Sequence, residues 1–353
     1  IIFREVTTFS VMIDIYRGMP AIYAAYTGYD EIAHHFGADS REALRALRGV
    51  DKQIRQIDRI RQLYTQHRYD LYILSDHGMT NSVPFTWAYG QTLEEFLAEH
   101  TGQQIESSEV SGENEGLPGA RVQFVVDEIR GLEERPHSLL PAHLLRATRE
   151  RLEARLLAEA IEGEWDLSLR GSIAVRNSGS LSHVYFDVTS RPMDLSEVAL
   201  IYPALLDALI SHEGIGLVAG RDGEDVVLAG RDGTLRITPT GRRLEGQDPL
   251  GSLSDPVWAA EQVARVARFP HAGDLILLGA MAGERVICFE EQVASHGGLG
   301  GPQGWPFLAS TAGAGLEARG IENSEEIYER LLRIYGDYEE RFPQDVTPEE
   351  RSD

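Results

Sequence analysis

Apolar and polar positions in the first hundred residues alternate between two periods. Residues 3–18 carry apolar side chains at helical spacing and predict an amphipathic helix. The run PAIYAAYTG (20–28) is apolar throughout, is bounded by Pro20 and Gly28, and predicts a buried strand. Residues 40–66 predict a long helix, with Leu44, Leu47, Ile54, Ile57 and Leu63 on one face and Asp39 and Glu42 as a capping box. YDLYILSDHG (69–78) predicts a second buried strand. Strand, long helix and strand make a βαβ unit, so the two strands should run parallel. Ligands in open α/β sheets bind beyond the carboxyl ends of such strands.

The pattern changes after residue 100. Residues 103–118 are polar and predict a loop or flap, and 140–163 predict a helix. GSIAVRNSG and LSHVYFDV read as strands, and 194–213 as a helix. AGRDG occurs at 219–223 and again at 229–233, between the apolar runs IGLV, DVVL and TLRI. That spacing predicts a β-meander with Asp-Gly turns. Residues 255–268 return to helix, DLILLGA (274–280) to strand, and 323–342 to a closing helix. The expected fold class is α/β, a mostly parallel sheet flanked by helices. An α+β region over 101–250 is inserted between a first core part, 1–100, and a second, 251–353.

Composition narrows the functions. The formal net charge of −23 gives a surface that repels nucleic acid backbones and anionic lipid, which argues against a nucleic acid polymer as partner. The single Cys288 excludes an intramolecular disulfide and a thiolate metal cluster. No run approaches the ~18 apolar residues of a membrane helix. The chain opens without Met, inside the first helical pattern, and we read it as partial or processed. An upstream membrane anchor, the compartment and the oligomeric state therefore stay open.

Three stretches could carry chemistry. YTGYDEIAHHFGADS places Asp30 and His34 four residues apart. SDHG places Asp76 beside His77, and Gly78 allows a sharp bend in which both side chains reach one ion. His296 lies in the glycine-rich SHGGLGGPQG. Two carboxylates and three imidazoles, without thiolate, suit Zn²⁺, with Mn²⁺ as the alternative. A cluster of this size fits two divalent ions about 4 Å apart, the arrangement that clamps the attacking and leaving oxygens in displacement at phosphorus. His35, His183, His271 and Asp274 read as surface or structural residues.

GYDEIAHHFG and ILSDHGM resemble the alkaline phosphatase superfamily, in particular its type I phosphodiesterase/nucleotide pyrophosphatase branch. There a D-x-x-x-H-x-x-G segment is followed about 40 residues later by S-D-H-G-M, and SHGG resembles the branch's late metal histidine. The resemblance covers residues 1–100 and 270–310. It implies an alkaline phosphatase-like core, a small phosphoester substrate, one zinc on Asp30, His34 and His296, and a second on Asp76 and His77. It also implies a Thr or Ser nucleophile and a further Asp, both expected upstream of Ile1. Thr7 and Thr8 in VTTFS are weaker candidates because they fall in a helix that should cover the sheet. Tyr29 stands where the branch usually has Pro, which leaves substrate choice open. The expectation is a metal-dependent phosphoester hydrolase. The alternatives are a phosphomutase of the same superfamily and a non-catalytic scaffold that kept the metal cradle.

Overall fold

A computed structural model describes residues 2–64, 67–103, 105–109, 173–189 and 191–336. The helix expected over 140–163 lies outside these, as do residues 337–342 of the closing helix. The helices are α1 Ile2–Arg17, α2 Gly28–Phe36, α3 Arg41–Leu63, α4 Phe85–Tyr89, α5 Leu93–Thr101, α6 Leu195–Ile201, α7 Pro203–Ser211, α8 Pro256–Ala267 and α9 Ser324–Tyr335. The strands are β1 Tyr72–Leu74, β2 Thr80–Pro84, β3 Ile105–Glu109, β4 Ile173–Ser178, β5 Leu181–Phe186, β6 Ile215–Asp222, β7 Asp225–Gly230, β8 Gly233–Thr238, β9 Gly241–Gly246, β10 Leu275–Gly279, β11 Met281–Ala282, β12 Arg285–Cys288, β13 Ala294–Ser295 and β14 Leu308–Ser310. The chain forms two compact units, residues 1–79 with 302–353, and residues 80–301.

In the first unit α1 packs on α3 through Val11, Ile15 and Ile57, joined by Ile22, Ala24, Tyr26 and Tyr69. Buried Gln53 of α3 donates to Glu5 Oε1 of α1 at 2.8 Å. The cap of α3 is Ser40, whose hydroxyl accepts from the Ala43 N–H, and not the expected Asp39–Glu42 box. Its buried positions are Ala43, Val50, Gln53 and Ile57. Of the expected face only Ile57 is buried; Leu44, Leu47 and Leu63 are 40%, 44% and 74% exposed.

The expected βαβ unit does not form among the described residues. Residues 21–27 are not a ladder strand. Ile22, Ala24 and Tyr26 alternate inward against α1 and α3, so period-two burial exists without a strand partner. The strand expected over 69–78 shrinks to β1, which pairs antiparallel with β14.

In the second unit an eight-stranded sheet has the order β3-β4-β5-β10-β6-β7-β8-β9, and a four-stranded sheet the order β11-β12-β2-β13. Only β3–β4 and β12–β2 pair parallel among the described strands, so the sheets are mixed and the expected mostly parallel sheet is corrected. The physical reason is loop length. Two-residue loops at Gly223–Glu224 and Arg231–Asp232 force β6, β7 and β8 into antiparallel hairpins. The meander is thus as expected, but its turns are Gly223-Glu224 and Arg231-Asp232 rather than Asp-Gly, with Gly223 at φ 65°. Residues 105–109, expected to be loop, form β3. The helix expected over 194–213 breaks into α6 and α7 at Pro203, which lacks the N–H that a continuous helix needs.

Strand β10 explains why DLILLGA is apolar without alternation. Leu275 and Leu277 face one core with α5, α6 and α7, and Ile276 and Leu278 face another with α8. Just before β10, buried Asp274 accepts from the backbone N–H of Met193 at 2.7 Å and of Phe186 at 2.8 Å. At the far edge, all six residues of β9 are exposed. No helix among the described residues is long and apolar enough to cross a membrane.

Candidate functional site

Asp30 and His34 stand on α2, not beyond a strand end as expected. Gly37 closes that helix at φ 99°, a conformation that side-chain-bearing residues avoid. One helical turn brings the pair onto one face, with His34 Nε2 3.3 Å from Asp30 Oδ2. His34 is 5% exposed. Tyr29 donates its hydroxyl to the Ala38 carbonyl at 2.8 Å and so ties the start of α2 to the turn beyond it. Burial, with the charges of Asp30 and Asp39, raises its phenol above the usual range.

Asp76 and His77 do follow a strand end. Ser75 continues the β1–β14 pairing by one step: its N–H donates to the Phe307 carbonyl, and its hydroxyl accepts from the Phe307 N–H at 3.0 Å. Gly78 then donates to the Gln303 carbonyl at 2.9 Å. A Cβ at Gly78 would stand 1.9 Å from the Pro302 carbonyl oxygen, so the turn accepts only glycine without moving backbone. His77 Nδ1 is 2.9 Å from the Gly78 carbonyl. A carbonyl only accepts, so Nδ1 carries the proton and the Nε2 lone pair can face a cation. Asp76 is largely exposed, 86% for its side chain, and accepts from the His77 N–H.

Within the first unit Asp30 and His77 each offer a ligand atom within 4.8 Å of the other. Asp30 and His77 are thus part of a possible Asp/His metal-binding cluster. His296 belongs to the second unit. It follows β13, is half-buried, and its carbonyl accepts from Ser295 Oγ at 3.3 Å and Ser180 Oγ at 3.5 Å. Gly179 and Gly298 make that packing close: a Cβ on either would come within 2.3 Å of a serine Oγ. Cys288 is buried in the same unit, where desolvation pushes its thiol up to about 12, so it is a packed side chain and no thiolate ligand.

The hydroxyls of VTTFS are both engaged by their own helix. Thr7 donates to the Phe3 carbonyl, and buried Thr8 to the Arg4 carbonyl with Tyr26 Oη 2.9 Å away. Ser75 and Gln303, which hold the Asp76–His77 turn, were not singled out for that role. The Ser before Asp-His was the available signal; nothing local in the sequence marks the Gln303 carbonyl.

The model of the type I phosphodiesterase / nucleotide pyrophosphatase family, part of the alkaline phosphatase superfamily, matches residues 14–181. That stretch contains Asp30, His34, Asp76 and His77. The mixed α/β architecture is consistent with an alkaline phosphatase-like fold. No curated protein and no solved structure matches the chain.

Proposed function

We propose that this chain, whose residues 14–181 match the model of the type I phosphodiesterase / nucleotide pyrophosphatase family, a family of phosphoric ester hydrolases, is a phosphodiesterase acting on a small phosphoester with two divalent cations. Asp30, His34 and His296 are the proposed ligands of one cation, and Asp76 and His77 of the other. The observation that carries the reading is the Asp30–His34 pair, 3.3 Å apart on one helical face, with a His77 ligand atom within 4.8 Å of Asp30. Zinc is the proposed metal, and manganese the alternative.

Bound cations would supply Lewis acidity to phosphoryl oxygens and charge to offset the ester's own. The chain's residues supply the rest. Asp30 brings a negative charge and shares its face with His34, whose imidazole α2 holds. The Nδ1–H of His77, bonded to the Gly78 carbonyl, fixes the tautomer and leaves Nε2, 3.5 Å from Asp76 Oδ1, as the ring's acceptor. Asp76, the exposed member, is the residue best able to meet incoming substrate and solvent. The attacking hydroxyl is not assigned among these residues; the proposal expects a Thr or Ser beyond them.

Elemental analysis of the purified chain tests the ligand set. Zinc or manganese should co-purify, and Asp76→Asn, at an exposed position, should lower its content without changing the circular dichroism spectrum. His34→Ala should lower it further. Equal metal content in both variants would remove the assignment. Bis-p-nitrophenyl phosphate reports the activity: metal-dependent turnover is expected to be slow in the chain as given and to fall at least tenfold in Asp76→Asn.

A further inference from the structure

Two glutamates follow β12 closely, and the fold treats them differently. Glu291 is exposed, whereas Glu290 is only 3% exposed, with Phe289 and Gln292 buried beside it. A carboxylate taken out of water is costly unless hydrogen-bond donors meet it. Here two do. Gly179 donates its N–H to Glu290 Oε2 at 2.5 Å, and Gln292 donates from Nε2 to the same oxygen at 3.1 Å. We propose that Glu290 is a positioning residue for His296, acting through the Gly179–Ser180 turn, and that it sets how tightly that histidine holds a cation. The inference rests on the reading of His296 as a metal ligand.

The chain of contacts is short and lies within the second unit. Gly179 and Ser180 form the two-residue turn between β4 and β5. Consecutive residues grip Gly179 by both of its backbone groups: the Phe289 N–H donates to its carbonyl at 2.8 Å, and Glu290 accepts from its N–H. The turn in turn supports the His296 backbone. Ser180 Oγ donates to the His296 carbonyl at 3.5 Å. A Cβ on Gly179, which has φ 61°, would stand 2.7 Å from that carbonyl and 2.2 Å from Ser295 Oγ. On its other side the Ser180 carbonyl accepts from the Gly279 N–H at 2.8 Å, at the end of β10. No gap separates the turn from His296, so a displaced turn moves the histidine backbone and the ring it carries.

The surroundings of His296 explain why such support is needed. The histidine opens a glycine-rich run, SHGGLGG, in which Gly297 and Gly300 have φ 87° and 85°. Glycines leave a backbone many accessible conformations, so rigidity there has to come from outside the run. A charged acceptor makes a bond to an N–H roughly twice as strong as a neutral one, which suits Glu290 to hold the turn. Partners that orient a metal-bound histidine change metal affinity by about 10–100-fold when they are lost.

Zinc affinity of the whole chain, read by competition with a chromogenic chelator, tests this. His296→Ala identifies the zinc equivalent that depends on the ligand itself. Glu290→Asp keeps the charge but draws the carboxylate back by one methylene, and should weaken that equivalent by about tenfold or more. Glu290→Gln keeps an oxygen within reach of the Gly179 N–H and should restore most of the affinity. Ser82→Ala removes the buried bond from Ser82 Oγ to the Gln292 carbonyl without touching Gly179, and should leave the affinity as it is. Added to His296→Ala, Glu290→Asp should cause no further loss. Unchanged affinity in Glu290→Asp, an equal loss in Ser82→Ala, no recovery in Glu290→Gln, or a full further loss in the absence of His296 overturns the inference and leaves the ligand assignment standing. Unchanged affinity in His296→Ala overturns the ligand assignment, and this inference with it.

Discussion

His183 shows how one buried side chain sets a solution property. Its Nδ1 accepts from the Gly273 N–H at 2.9 Å, a bond that only the neutral ring makes, and burial lowers its pKa. In the unfolded chain the imidazole takes up a proton near pH 6.5, before the folded ring does. Stability contributed by the neutral form is therefore present above that value and lost as pH falls through it. His212, also lowered by burial, acts in the same direction. The melting temperature should step down between pH 7.5 and 5.5, and His183→Gln should flatten the step; a slope unchanged by the substitution would place its origin elsewhere. Gly78 gives a second prediction at this scale. Gly78→Ala forces a methyl group against the Pro302 carbonyl and should lower cation uptake, measured by elemental analysis, whereas His35→Ala, at an exposed position, should not. The structural roles of His183 and Asp274 were legible because residue type and position carry them, and the proposed ligands rest on the same kind of signal. The carbonyls that hold Gly78 and His77 were not, since backbone partners leave no mark on composition.

At the scale of elements, α3 separates what periodicity tells from what it leaves out. Its existence and length were legible from twenty-odd residues of helical spacing. Its cap and buried face were not. Asp39, Ser40 and Glu42 are all common at helix starts, and the backbone selects Ser40. Leu44 and Leu47 looked like core, but the buried positions of the helix are the smaller Ala43 and Val50, with Gln53 and Ile57. Ser40→Ala should cost about 1 kcal/mol and Asp39→Ala close to nothing, read by thermal or urea unfolding. Equal losses would restore the capping box. Residues 20–28 and 69–78 show the complementary failure. An apolar run with alternating burial reads as a strand, yet a strand also needs a neighbour to bond, and sequence does not name it. The β6–β7–β8 meander was legible because two-residue loops name the neighbour themselves.

At the scale of the whole molecule, the mixed sheets follow from connection length: short loops between β6, β7 and β8 leave no room for the crossovers that parallel strands need. A mostly parallel sheet was expected because the reading began with the first hundred residues, where helix and apolar run alternate. The eight-stranded sheet also ends somewhere, and where it ends matters. Among the described residues strand β9 pairs only with β8, so within them its outer edge has no strand neighbour. Its sequence, GRRLEG, places Arg242 against Glu261 at 2.6 Å and Arg243 beside Glu245 at 3.0 Å. Substituting Arg242 and Arg243 together by Val should raise the light-scattering mass with concentration, while either Lys replacement should not. The open rim would otherwise be a template on which a second molecule could add a strand, and a third after it. A collision there must first strip water from two guanidinium groups, and that cost guards an acidic protein against growing into fibrils.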